Sequence, residues 1–186
     1  MRLGFLLLFI ISFSVATGQQ KQINLEEIWS GTFRAQGLDE LRSLKSGKQY
    51  AVLNYNRRSG GSSVDVYDYI SGEKVKTIVS SSQIKDANYF LSYTLSEDET
   101  KVLLATDLQQ IYRRSSLGTY YVYDVITEKM MLVSENKIQE PVLNSAGTKV
   151  AYGYNNNIFI KNLSTGATTQ ITKDGIKNSI INGITD

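Results

Sequence analysis

One phrase occurs three times along this chain, and it limits the possible folds more than any other feature. SLKSGKQYAVLNY from Ser43, TLSEDETKVLLAT from Thr94 and VLNSAGTKVAYGY from Val142 each run from an apolar residue through a polar turn and a lysine into an apolar strand. Thr100-Lys101-Val102 and Thr148-Lys149-Val150 lie 48 residues apart. A second phrase follows each first one: VYDYISGEKVKTIVS from Val66, VYDVITEKMMLVS from Val122 and IKNLSTGATTQIT from Ile160. Ser71, Thr127 and Thr165 hold the matching turn positions. Self-similarity at such a period marks a stack of supersecondary units, each too small to bury its own apolar surface.

Each unit reads as antiparallel β-sheet. Short runs of Tyr, Val, Ile and Thr are punctuated by Gly, Ser, Asn and Asp, with a single proline in the chain, the composition of hairpin-linked strands. The two phrases supply at least three strands per unit, and a weaker strand ahead of the first phrase makes four. Four antiparallel strands in roughly 40 to 50 residues is the size of a propeller blade. KVLLAT and YYVYDV are apolar on both sides of the strand, as expected where a sheet is covered on both faces. The expected fold class is all-β: a partial β-propeller of about three four-stranded blades, preceded by a signal peptide and a short capped helix. Three blades do not close a ring, and NSIINGITD reads as the approach to a further strand. The chain is therefore expected to be a truncated piece of a larger propeller.

The first residues suggest export. Arg2 precedes an apolar run from Leu3 to about Val15, and Ala16-Thr17-Gly18 offers small residues for a cut after Gly18, the pattern of a secretory signal peptide. The run is short for a membrane span of about 20 apolar residues. The expected organisation is a signal peptide over 1–18, a linker and short helix over 19–34, and propeller sequence over 35–186. In the helix, Asn24 is the expected N-cap, Glu27 stands three residues on, and Ile23 is placed to staple against Ile28. The expected location is the periplasm, or the outside or envelope of the cell. With no cysteine in the chain, packing alone must hold the exported fold together.

The absent residues close several chemistries. With no histidine and no cysteine, the chain cannot assemble a Ser-His-Asp triad, a Cys-His dyad or a His/Cys zinc site. Twenty basic against 18 acidic residues give a net charge of +2, which is no footprint for nucleic acid. Neither a Walker-type loop nor Gly-x-Gly-x-x-Gly occurs, so no cofactor and no metal is expected. Glu26-Glu27 suits a helix start, and SEDET, Ser96 to Thr100, suits a solvated turn. RRSGGSS, Arg57 to Ser63, reads as a flexible hairpin tip between two strands.

One stretch is left over. QIYRRSSLGTYYVYD, Gln110 to Asp124, sets Arg113 and Arg114 between two strand-like runs, and the middle repeat holds about ten residues more here than the third. The surplus includes Tyr112 to Leu117. A long basic and aromatic connection is where scaffolds carry function, and a guanidinium presents a fixed fork of donors. A solvated hairpin tip is the simpler account, and the residues alone leave both open.

YNNNIFIKNLSTGATTQITKDGIKNSIINGITD, Tyr154 to Asp186, resembles the amino-terminal β-propeller of the dipeptidyl peptidase IV group of prolyl oligopeptidase-type serine peptidases. That group leads an NN(D/N)I(Y/F)(V/F) strand and an ITxxG turn into INGITDWVYEEE. LSxDxxKVLL, YYVYDV and the capped INLEEIW helix fit the same group. The resemblance implies an exopeptidase that releases amino-terminal dipeptides from peptides with Pro or Ala second, and that forms a possible homodimer. It also implies an eight-bladed propeller over an α/β-hydrolase domain that carries the Ser-Asp-His triad. That domain and the paired glutamates that hold the substrate amine are not in this chain, which is expected to be non-catalytic alone. One site residue carries over: Tyr112-Arg113-Arg114-Ser115 ahead of TYYVYD matches the loop whose arginine binds a substrate carbonyl. The resemblance puts Arg113 in that role, with Arg114 the runner-up. The alternative is a non-enzymatic propeller that serves as a binding or scaffold protein of the cell envelope.

Overall fold

The computed structural model describes residues 23–34, 41–56, 60–85, 88–113 and 115–184. The chain divides into two compact units, 1–37 and 38–186. In the first, α1 (Leu25–Trp29) starts where the capping residues placed it, with the Asn24 side chain accepting the Glu27 backbone N–H at 2.8 Å. Ile23 and Ile28 are 66% and 56% exposed, so the expected staple buries neither; a helix of five residues presents too little surface to cover them. The proposed signal peptide lies outside the described residues. No described helix is long and apolar enough to cross a membrane.

The second unit consists of three four-stranded antiparallel sheets, each a meander in chain order. Blade 1 holds β1 (Leu41–Ser43), β2 (Gln49–Tyr55), β3 (Ser62–Asp68) and β4 (Lys74–Ser80). Blade 2 holds β5 (Ser92–Leu95), β6 (Lys101–Tyr112), β7 (Ser115–Asp124) and β8 (Lys129–Leu132). Blade 3 holds β9 (Gln139–Leu143), β10 (Lys149–Tyr154), β11 (Asn157–Asn162) and β12 (Thr168–Gln170). The first phrase of each repeat covers the first hairpin of a blade, and the second phrase covers the last.

The repeated letters encode repeated turns. Leu44, Ser96 and Asn144 each donate a backbone N–H to the residue five positions on, closing the turn between the first and second strands at 2.9 to 3.0 Å. Gly47, Glu99 and Gly147 occupy the same left-handed position in it, with φ of 65°, 59° and 59°. Between the third and fourth strands, Asp68, Asp124 and Asn162 each accept two backbone N–H groups, from residues two and three positions on. Ser71, Thr127 and Thr165 are the second donors at 3.0, 3.0 and 3.1 Å. Such side-chain turns are the reason Asp and Asn mark these positions. RRSGGSS does connect two paired strands, with Tyr55 opposite Ser62; residues 57–59 lie outside the described set.

Strand alternation distributes the core into two layers. Ala51, Leu53, Val64 and Val79 of blade 1 meet Tyr93, Val102, Leu104 and Tyr123 of blade 2. On the opposite face of blade 2, Leu103 and Val122 meet Val150 and Tyr152 of blade 3, with Val133 and Ile138 from the connection between the blades. Successive side chains of a strand point to opposite faces, so a centre blade covered on both sides reads as the near-continuous VLLA. Polar bonds tie the layers together. Tyr93 donates its hydroxyl to the Ala51 carbonyl at 2.7 Å, and Lys161 reaches the Leu132 carbonyl at 2.8 Å.

After β12 the chain turns back across its own blade. Asn157 Oδ1 accepts from Thr172 Oγ1 at 3.1 Å and from the Gly175 amide at 3.0 Å. The Asn182 amide donates to the Asn156 carbonyl at 3.0 Å. The approach to a further strand expected for NSIINGITD is, through Ile184, a loop pinned to the β10–β11 turn, because two buried or half-buried asparagines satisfy its backbone.

Candidate functional site

The β6–β7 hairpin outgrows its sheet. β5 pairs with β6 only from Val102 to Ala105, and β8 pairs with β7 only from Tyr121 to Asp124. Beyond Thr106 and Thr119 the two strands continue as a ribbon, through Gln109 opposite Leu117 and Gln110 opposite Ser116, to a last pair between Tyr112 and Ser115. Arg113 stands in the turn past that last pair and is exposed. Arg114 lies outside the described residues. The surplus of the middle repeat is thus paired strand as far as the tip, the hairpin between two strand-like runs that the sequence offered, rather than a long loop. Backbone pairing holds Gln109 and Gln110 in the ladder without an apolar alternation to announce it.

Two interruptions aim the tip. Register shifts fall between Thr106 and Gln109 and between Gln110 and Tyr112. At the first, Asp107 and Leu108 oppose Gly118, and Asp107 adopts φ 46°. Bulges of this kind bend and twist a ribbon and redirect the side chains beyond them. Gly118 lets the strands approach closely here: a Cβ would lie 2.5 Å from Leu108 Cδ2 and 2.9 Å from Tyr120 Cε2, so those side chains would have to shift. A glycine inside a strand marks such a close approach.

An isolated two-stranded hairpin is at best marginal in water, and this one is supported along β7. The Val133 amide donates to the Tyr120 carbonyl at 2.9 Å, continuing the edge past β8. Gly118 and Ile138 then exchange both backbone hydrogen bonds at 2.9 Å. Ile138 is fully buried. Gln139 donates from Nε2 to Ser115 Oγ at 3.0 Å. Lys137 Nζ lies 3.0 Å from Asp107 Oδ2 at the bulge. Burial pushes the Tyr120 hydroxyl up, against a lowering hydrogen bond from Ser116. Lys137 and Gln139 went unremarked in the sequence, where the alternation Lys137-Ile138-Gln139 before Pro141 was the available sign of one buried residue between two outward ones.

A second polar constellation occupies the face of blade 1 turned away from blade 2. Asp65 is 3% exposed. It accepts from Asn54 Nδ2 at 2.9 Å, Ser63 Oγ at 3.0 Å and Thr77 Oγ1 at 2.7 Å, with Lys74 Nζ at 2.9 Å. Burial alone would push its carboxyl up, but the hydrogen bonds from Asn54, Thr77, Lys74 and Ser63 together hold it below the usual carboxylate range. Tyr55, Asn56 and Tyr67 border the cleft above it. Its oxygens are committed to these donors, which suits a structural anion better than a base. Among the described residues, no three Asp or Glu side chains gather as a metal site would require. Arg113 sets a guanidinium, with its fork of N–H donors, in the exposed turn at the end of a braced ribbon.

Residues 96–186 match the family model described as the dipeptidyl peptidase IV (DPP IV) N-terminal region. Human prolyl endopeptidase FAP is 31% identical over 170 residues, which cover 89% of this chain and 21% of the relative. The probable dipeptidyl-aminopeptidase B of Neurospora crassa is 28% identical over 193 residues, covering 93% of this chain and 20% of its own length. The crystal structure of Porphyromonas gingivalis dipeptidyl peptidase 4 superposes with a TM-score of 0.69 at 32% identity, over 84% of this chain and 22% of that one. The chain thus spans about a fifth of the length of these relatives, and its three sheets have the architecture of propeller blades.

Proposed function

We propose, for a chain that carries the N-terminal region of the dipeptidyl peptidase IV family, that it forms part of the propeller wall of an exported serine-type dipeptidyl peptidase. In this reading the full-length protein releases amino-terminal dipeptides from peptides with Pro or Ala in the second position. The region described here performs no bond chemistry; it presents Arg113 to the substrate. The observation that carries the reading is the β6–β7 ribbon. It extends past its own sheet, is bent by two bulges and ends on an exposed arginine. A guanidinium there can aim charged N–H donors at a peptide carbonyl oxygen and, unlike an ammonium, keeps their direction fixed. The leader over residues 1–18 and the homodimer belong to the same proposal.

The test is an assay of the full-length protein on a peptide with a free amino terminus and proline second, with the products weighed by mass spectrometry. Release of the intact dipeptide, and no cleavage of the same peptide with a blocked amino terminus, is the expected result. No release from either peptide would leave a binding or scaffold propeller as the better account.

A further inference from the structure

We infer that Gln139 is a positioning residue that holds the Arg113 tip through Ser115. The inference rests on the reading of Arg113 as the substrate-binding group. Ser115 is the first residue after the tip and pairs with Tyr112 in the last rung of the ribbon. Its hydroxyl receives the Gln139 side-chain amide at 3.0 Å, from a strand of the neighbouring blade. The support is anchored one residue away, where Ile138 is buried between blades 2 and 3 and exchanges two backbone bonds with Gly118. Strand alternation then directs Gln139 opposite to Ile138. Immediately after Gln139 the β9–β10 register shifts, with Glu140 at φ 46°, so Gln139 stands at an irregularity that frees it from the blade's regular face. The contact is half-buried, a setting where a neutral hydrogen bond survives competition from water.

The consequence is a division of labour across two blades. Blade 2 supplies the arginine, and blade 3 sets the direction in which its stalk points. If Arg113 holds the substrate equally in the ground and transition states, loosening its stalk raises KM and leaves kcat unchanged.

The test uses the full-length protein with Gln139→Ala and, removing the same bond from its other end, Ser115→Ala. Amide hydrogen exchange of a peptide covering residues 107–118 is compared with one covering 149–160. Each variant is expected to raise exchange in the hairpin about fivefold, the effect of one net hydrogen bond on local opening, and to leave the blade 3 peptide unchanged. The double variant is expected to match the single ones. Gln139→Glu, whose carboxylate can accept from the Ser115 hydroxyl, is expected to restore protection. KM for a proline-second peptide should rise by a similar factor with kcat retained. Unchanged hairpin exchange in both single variants, or a double variant whose effects add independently, would overturn the inference. So would an unmoved KM in Gln139→Ala where Arg113→Ala raises it. A loosened hairpin with KM unmoved in both Gln139→Ala and Arg113→Ala keeps the brace and removes the substrate reading of Arg113, so the two failures are distinct.

Discussion

Val102 and Leu103 are adjacent in β6, yet their side chains belong to different cores. Val102 packs in the layer shared with blade 1, and Leu103 in the layer shared with blade 3. Blade 2 is therefore the keystone of the described unit, and truncations in it open one interface or the other. Leu104→Ala, at a fully buried position of the blade 1 layer, is expected to cost about 2–5 kcal/mol. Amide exchange should rise in β2 and β3 as well as β6. Leu103→Ala should instead raise exchange in β10 and at Ile138.

At the base of the ribbon, Gly118→Ala places a methyl within 2.9 Å of both Leu108 and Tyr120. The expected cost is about 1–3 kcal/mol, as for overpacking elsewhere. Because Leu108 is the nearer obstacle, Leu108→Ala in the same chain should recover part of it. The Ile138 amide, bonded to the Gly118 carbonyl, is the reporter by hydrogen exchange.

Asp65→Ala leaves Asn54, Ser63, Thr77 and Lys74 without their shared acceptor. Removing one partner of a buried polar network is costly, but Lys74 is 46% exposed and recovers water. The expected loss is about 2–3 kcal/mol, with Asp65→Asn milder because it retains one acceptor oxygen. Denaturant midpoints for the two variants check the order.

Acid should loosen the same unit. Hydrogen bonds from the Ser96 and Thr100 hydroxyls and the Thr100 amide hold the Asp98 carboxyl at about 2. The Ser71 and Ile70 amides hold Asp68 below the usual range. Asp124 is also held low: burial pushes it up, and bonds from Thr127, Lys101 and Ile126 outweigh that. A carboxyl whose folded pKa is depressed binds protons more readily when unfolded, so its contribution is complete above the unfolded value near 3.9. For Asp98 that contribution is lost as pH falls from about 4 through about 2. Stability measured against pH should therefore be flat with respect to these groups above about pH 5 and decline below it. Asp98→Asn should make the decline shallower.

How much of this was legible in the letters differs by region. The blades were readable because each repeat carries its own punctuation. Asp68, Asp124 and Asn162 build the same turn from local bonds, and local bonds leave local patterns. The ribbon was readable as a surplus between two strand-like runs, but how far the pairing extends through it was not. Gln109 and Gln110 are held by pairing with Leu117 and Ser116, and nothing in their own sequence favours a strand. Asp65 sat in view as a lone acid between two valines, and only the fold brings Asn54, Thr77 and Lys74 to it. The return of residues 171–184 over the β10–β11 turn depends on Asn157 reaching Thr172 and Gly175, a contact set by tertiary packing. Gln139 meets Ser115 from 24 residues away and from another blade, beyond the reach of any local pattern.

The most direct measurement of the central claim is the specificity constant of Arg113→Ala in the full-length protein, on a free-amino-terminus peptide with proline second. The loss of a charged donor pair predicts a fall in kcat/KM of roughly tenfold to a hundredfold. Arg113→Lys should recover little of it, and exchange protection across β6 and β7 up to Gln110 should stay unchanged. An unaltered kcat/KM in Arg113→Ala would contradict the claim and return the arginine to a solvated hairpin tip.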